Sequence, residues 1–317
     1  MKMKMRIWKN RPKWFKISLV VLVFLIISEC ILRFVFGIGD LAIYREDKRY
    51  EYFYESNQDV WRYGNHIVTN EFGMRSKSVN KKKKITILEF GDSVLNGGAH
   101  VDQDKLATTK QDNQFNDDFN NEVQVLNISA QSWGVSNAFA FLKAHGDFNA
   151  DIIVLVFSSH DLNDNMHFRK VVGEHPAWPD SKPFLALTDA FTRSLWPSVK
   201  RFFTGENEYA YLDDFNDSAI NPGWKDFFEY GKKNNIPVLV YLHASKKETK
   251  DGQYNEKGKK ILKICKNNNI KTITDFDNMK NSPDAYIDEI HLNEKGHDIM
   301  FSLIEPVLNN YLKKMFN

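Results

Sequence analysis

Five short apolar runs recur along the chain, at 85–91, 123–128, 151–157, 237–242 and 271–275, each bounded by polar or turn-forming residues. Runs of this length read as strands buried on both faces. Between them, apolar residues at helical spacing predict helices near 103–119, 135–147, 222–234, 254–268 and 294–314. Strands alternating with helices predict a parallel sheet covered on both sides, a three-layer α/β/α fold. Ile236-Pro237-Val238-Leu239-Val240-Tyr241 is the clearest late strand, and Asn234-Asn235 before it predicts a turn. No internal repeat is visible. The stretch from Met166 to Pro222 is too long for one crossover and predicts an insertion of about 166–222. It is rich in aromatic residues, among them Trp178, Phe184, Phe191, Trp196, Phe202, Phe203, Tyr209 and Tyr211. At a cavity rim such rings suit sugar rings or an acyl chain. The blander expectation for most of them is a small core of the insertion itself, or a membrane-facing contact.

A different pattern occupies the amino terminus. Lys2, Lys4, Arg6, Lys9, Arg11, Lys13 and Lys16 precede a mostly apolar stretch from Ile17 to Gly39, and no acidic residue lies among them. That stretch is long enough to span a bilayer. Basic residues before the span predict a cytoplasmic leader, 1–16, and a transmembrane anchor, 17–39, with the rest of the chain exported. Glu29 and Arg33 interrupt the span at i, i+4 spacing, where they are expected to pair with each other near the outer interface. A cleaved signal peptide with its apolar core at Ile17–Ser28 is the competing expectation. No small-x-small cleavage site follows that core, which favours the anchor.

Candidate chemistry sits at the end of the first strand. In Gly91-Asp92-Ser93-Val94-Leu95-Asn96-Gly97 a serine follows a strand, at the sheet edge where open α/β folds place ligands. By itself Gly-Asp-Ser is an ordinary turn or helix cap. Almost two hundred residues later, Asp288-Glu289-Ile290-His291 offers the base that such a serine needs. A carboxylate three residues before an imidazole can reach Nδ1 and leave Nε2 to take a proton from Ser93.

The pairing of Gly-Asp-Ser early with Asp-x-x-His late resembles the SGNH, or GDSL-type, hydrolase family. Asn127-Ile128-Ser129 after the second strand and Asn70-Glu71-Phe72-Gly73-Met74-Arg75 before the first extend the resemblance over about 68–312. It implies a flavodoxin-like α/β/α fold, with Ser93 as nucleophile, His291 as base, Asp288 as its orienting acid and Gly97 as a close-packing glycine. It also locates two departures in the oxyanion hole. The glycine of the second block falls on Ser132, with Gly134 two residues on. In the third block the usual Gly-x-Asn-Asp falls on Ser158-Ser159-His160-Asp161, so His160 replaces the asparagine. A second register, Asp161-Leu162-Asn163-Asp164, keeps the Asn-Asp pair and makes Asn163 the donor instead. Both registers stay open on sequence, the first favoured.

Charge and cysteines narrow the partners. The chain of 317 residues has net charge +2, and removing the seven cations of the leader leaves the remainder near −5. The basic balance therefore belongs to topology, and no nucleic-acid partner is expected. Lys81–Lys84 reads as a solvated approach to the first strand. Cys30 lies in the span and Cys265 in a helix, so no disulfide is expected. His160, Asp161 and Asp164 make only a weak metal pattern, and neither metal nor cofactor is expected. The organisation expected is leader, anchor, a linker or stalk at 40–83, and an SGNH-like domain at 84–317. The resemblance implies a serine esterase acting on an acyl ester, with an O-acetylated cell-envelope or exported polysaccharide as substrate. The alternatives are an O-acetyltransferase using the same triad, or an inactive glycan-binding subunit of envelope polysaccharide machinery. The altered second and third blocks motivate the last of these, and the intact Ser93, Asp288 and His291 oppose it.

Overall fold

The computed structural model describes residues 12–204 and 218–317. Most of the leader, together with Tyr209 and Tyr211, lies outside the described residues. Helix α1 (Lys13–Phe36) is apolar and exposed through its first turns, long enough to cross a membrane, and stops at Gly37 in the left-handed conformation, φ +64°. A signal sequence would pass the same test of length and composition. Strands β1 (Tyr44–Asp47) with β2 (Glu51–Tyr54), and β3 (Asp59–Arg62) with β4 (Asn65–Val68), form two antiparallel pairs.

The central sheet holds five strands: β5 (Ile85–Gly91), β6 (Val123–Ser129), β7 (Ile152–Ser158), β8 (Val238–His243) and β9 (Lys271–Thr274). All neighbours are parallel, in the order β6-β5-β7-β8-β9, the flavodoxin-like arrangement. The first four of these strands are buried at every residue, which is why they read as continuous apolar runs in the sequence. The chain runs from β5 to β6 on one side and then crosses back to β7 on the other side of β5, so the strand order reverses at the carboxyl end of β5.

Helices cover both faces. Around the sheet run α2 (Ser93–Asn96), α3 (Ala107–Asp118), α4 (Val135–His145), α5 (Ala186–Asp189), α6 (Trp196–Thr204), α7 (Gly223–Asn234), α8 (Lys246–Asp251), α9 (Glu256–Asn267), α10 (Phe276–Lys280) and α11 (Glu294–Phe316). One core, under α4, α7 and α9, gathers Phe90, Trp133, Phe141, Phe157 and Trp224; the other, under α3 and α11, gathers Ile87, Phe115, Val154 and Met300. Asn235 ends α7 with φ +57°, the turn that Asn-Asn predicts. Within β5, Glu89 faces the second core beside Gln111 of α3, fully buried, with neither carboxyl oxygen hydrogen-bonded.

Residues 40–83 correct the sequence expectation of a linker or stalk. Tyr50, Tyr52, Phe53, Tyr54 and Met74 enter the first core, where Phe53 stacks on Trp133 at 4.6 Å between ring centroids. The Trp133 indole donates to Tyr52 O at 2.9 Å. Burying several large aromatics at roughly 1.5–3 kcal/mol each makes this segment part of the fold. The insertion is likewise only partly separate, since Val171, Val172 and Trp178 join the same core.

Candidate active site

Ser93 begins α2 at the carboxyl end of β5, the strand-order reversal where doubly wound sheets hold ligands. Asp92 caps that helix by accepting from Val94 N at 2.8 Å. Gly97 closes the turn at φ +72°, and a Cβ there would press on Leu106, Val101 and His297 at 3.0–3.1 Å, so the close-packing role implied for it is physical. The late loop returns across this edge. His291 Nε2 lies 2.9 Å from Ser93 Oγ, and Nδ1 lies 2.7 Å from Asp288 Oδ2. The other oxygen of Asp288 accepts from Ile290 N at 2.9 Å and His291 N at 2.8 Å. Burial pushes the Asp288 carboxyl up, but these two amides and the ring pull it below the usual value. Three residues expected from spacing alone are thus joined in one hydrogen-bonded line.

Two buried groups steady this line from behind. His243, at the end of β8, places Nδ1 2.5 Å from Asp275 Oδ2 and Nε2 2.9 Å from Ile290 O. Burial pushes its pKa down, but the Asp275 carboxylate, the Ile290 carbonyl and Asp92 together turn the net shift upward. Both partners are acceptors, so a ring protonated on both nitrogens would join them and fix the carbonyl next to His291. Arg75 is fully buried and donates to Gly98 O at 2.7 Å, Val101 O at 2.6 Å and His66 O at 3.0 Å, and to Asn96 O as well. It holds the loop that leaves Ser93. In the sequence Arg75 stands only as the last residue of the Asn70–Arg75 motif, and no spacing marks His243.

The four oxyanion positions fare differently. Ser132 lines the cavity at φ +55°, the conformation a glycine takes without strain, which explains why a glycine suits this position. Gly134 does not point into the cavity: its N–H donates to Asn137 Oδ1 at 3.0 Å as the cap of α4, so it is unavailable to a substrate oxygen. Asn163 is likewise spent, donating to Ala219 O at 2.8 Å and Ser218 O at 3.3 Å at the base of the insertion. His160 stays near the edge, half exposed, with Nε2 3.5 Å from Asp161 Oδ1 and 3.7 Å from Asp92 Oδ2, and Nδ1 3.2 Å from Ser158 Oγ.

Those two carboxyls and the imidazole also form the tightest grouping of metal-type ligands among the described residues. Asp92 is pushed up to about 7, first by burial and then by the nearby Asp161, with His160 opposing. Asp161 is likewise raised well above its usual value, first by burial and then by Asp164.

A cavity of about 660 Å³ opens over Ser93 and His291. Tyr44, Tyr54, Tyr63 and His100 line it, so its aromatic wall comes from the amino-terminal hairpins and the Ser93 loop. From the insertion it receives His175, Pro176, Ala177, Pro179 and Arg193. The expectation of insertion aromatics at the rim is therefore corrected: Trp178 is buried, while Phe184, Phe191, Trp196, Phe202 and Phe203 are exposed and away from the cavity lining.

No protein-family model and no curated protein matches this chain. Among solved structures, it is similar to an acetyl xylan esterase at 17% identity and TM-score 0.41, covering 69% of this chain and 98% of that one. A lipase/acylhydrolase from Enterococcus faecalis is similar at 12% identity and TM-score 0.43, over 72% and 96%. A GDSL-like lipase from Bacteroides thetaiotaomicron is similar at 14% and 0.37, over 73% and 89%. With likenesses this faint, the chemistry of the site rests on the geometry of Ser93, His291 and Asp288 in this chain.

Proposed function

We propose that this protein is a serine esterase, carried at a membrane by α1, that cleaves acyl esters through an acyl-enzyme on Ser93. The observation that carries the reading is the unbroken line from Ser93 Oγ through His291 to Asp288, at 2.9 and 2.7 Å. Ser93 Oγ attacks the ester carbonyl while Nε2 takes its proton, and Asp288 stabilises the imidazolium that forms. The tetrahedral oxyanion collapses, the imidazolium protonates the departing alcohol, and the acyl group stays on Ser93. Water then attacks, again losing its proton to Nε2, and the acid leaves. The same intermediate passes its acyl group to a sugar hydroxyl where one occupies the water's place. Ser132 N–H, at the cavity wall, is the donor proposed for the oxyanion, and His160 is the second once its ring turns from Asp92 and Asp161 toward the cavity, whose lining it does not reach in the resting structure.

The cavity suits an acylated carbohydrate. Its volume admits more than a free short ester, and Tyr44, Tyr54 and Tyr63 offer ring faces and hydroxyls. A fluorophosphonate probe tests the mechanism directly. Wild-type protein should label and Ser93→Ala should not, and acetate release from acetylated glycans should vanish with labelling. Labelling retained in Ser93→Ala would refute the assignment.

A further inference from the structure

The last turns of α1 are not free of the folded domain. Glu29 Oε1 accepts from Ala186 N at 2.9 Å and Oε2 from Leu187 N at 3.0 Å, at the start of α5. Arg33 binds Glu29 Oε1 through Nε at 3.0 Å and Nη2 at 2.7 Å, and Nη2 also donates to Phe184 O at 2.9 Å. At the other end of α5, buried Asp189 accepts from Gly39 N at 2.8 Å and from Arg62 Nη1 at 2.7 Å. Phe184–Asp189 is thereby tied at one end to α1 and at the other to Gly39, just past the helix, and to Arg62 of β3. The two charges inside the apolar helix neutralise each other and satisfy backbone groups of the insertion, as a low-dielectric setting requires.

The length of α1 fixes where this junction sits. Between Lys16 and Glu29 there are twelve residues, Ile17–Ser28, about 18 Å of helix. A hydrocarbon core of about 30 Å needs about twenty residues, which extends the span to Phe36. Glu29 and Arg33 then lie within the hydrocarbon thickness, and the segment hydrogen-bonded to them lies there too. That segment carries the composition such a place demands. Phe184 is 93% exposed, Phe202 84% and Phe203 79%, with Leu185, Phe191, Leu195 and Trp196 also exposed. Arg193, Lys200 and Arg201 are interspersed, as on helices that lie in a lipid headgroup layer.

We propose that Phe184–Thr204 is immersed in the leaflet of the bilayer nearest the folded domain, as an interfacial element docked on α1, with lipid as the occupant of its exposed aromatic face. The proposal rests on the reading of α1 as an anchor. Arg193 pairs with Asp189 at 3.0 Å, and both Arg62 and Arg193 also line the cavity over Ser93. The immersed segment therefore sets the height of that cavity above the lipid.

Depth-dependent quenching on the full chain, reconstituted in vesicles of phosphatidylethanolamine and phosphatidylglycerol, tests it. The native Cys30 is exposed on α1 and takes an environment-sensitive fluorophore, while Cys265 is buried. In a Cys30→Ser background, Phe184→Cys, Phe202→Cys and Lys257→Cys carry the same dye in turn; all three positions are exposed, so the fold is not at stake. Nitroxides on the lipid acyl chains should quench dyes at 30, 184 and 202 several-fold more than the dye at 257. Quenching at 30 with either 184 or 202 behaving like 257 would overturn the immersion while leaving the anchor standing. No quenching at 30 would overturn the anchor, and the immersion with it.

Discussion

Glu89 gives the sharpest test of the physical account, because its carboxyl is fully buried in β5 and makes no aligned hydrogen bond. Burial raises its pKa from 4.5 to about 8, with the neighbouring Gln111 amide opposing only in part. A pKa raised on folding means that the native state holds the proton more tightly than the unfolded chain. Its contribution is complete below about pH 4.5 and is lost as pH rises through about 8. At about 1.4 kcal/mol per tenfold, the gap corresponds to about 5 kcal/mol, an upper figure because water entry and relaxation reduce it. Glu89→Gln keeps the shape and removes the proton. Unfolding by denaturant, followed for wild type and variant between about pH 5 and 9 in the same detergent, isolates this group from others, such as Asp92, that drift in the same direction. The variant should gain on wild type steadily with pH, by several kcal/mol across the window. A difference that stays flat, or one that turns in favour of wild type at high pH, would refute the assignment of a neutral Glu89.

Further outcomes follow from the site. Ser93→Ala and His291→Ala should each remove nearly all turnover of a short acyl ester, about a million-fold by analogy with triads whose members act as a unit, and Asp288→Asn should cost about ten-thousand-fold, all read by initial rates. His160→Ala should lower the chemical step by about a hundred-fold or more with little change in KM, and His160→Asn should recover part of it, whereas Asn163→Ala should leave kcat near wild type because its amide serves Ala219 and Ser218; the reverse ranking would restore the other register. Arg75→Met should destabilise the protein by about 3–5 kcal/mol by leaving several carbonyls without a donor, visible as a lowered denaturant midpoint, and a change within error would show that water replaces the guanidinium.

The sheet was legible because parallel strands buried on both faces are mostly apolar, and β5 to β8 are so, with Glu89, Gln124 and Asn127 among the buried exceptions. Asp288 and His291 were legible as a pair for a different reason, since Asp-x-x-His closes its hydrogen bond within one turn, and Ser93 joined them through the resemblance that the two motifs carry. The amino-terminal hairpins were not. Their strands are four residues long, and the partners that bury Tyr52 and Phe53 are Trp133 and Trp178, roughly eighty to 125 residues away in the chain. Whether Gly134 or Asn163 has a free donor is not legible in sequence, because a donor's availability depends on what else it meets, and Asn137 and the 218–219 backbone meet them first. Glu29 and Arg33 showed their mutual pairing at i, i+4, but the backbone of 184–187 that completes the cluster lies some 150 residues on.

The grip of Arg75 on the loop after Ser93 bears on how the chain can be divided. By strand count the catalytic unit starts at Ile85, and a soluble form would naturally be cut there. Such a cut discards the guanidinium that gathers Asn96, Gly98 and Val101, and also Tyr54, whose hydroxyl donates to Asn96 Oδ1 at 3.0 Å. It takes away Tyr44 and Tyr63 from the cavity wall as well. The smallest piece that keeps the site whole begins just past the anchor, near residue 40. In this architecture the polypeptide that directly follows α1 is already scaffold of the site, and no dispensable spacer separates the two.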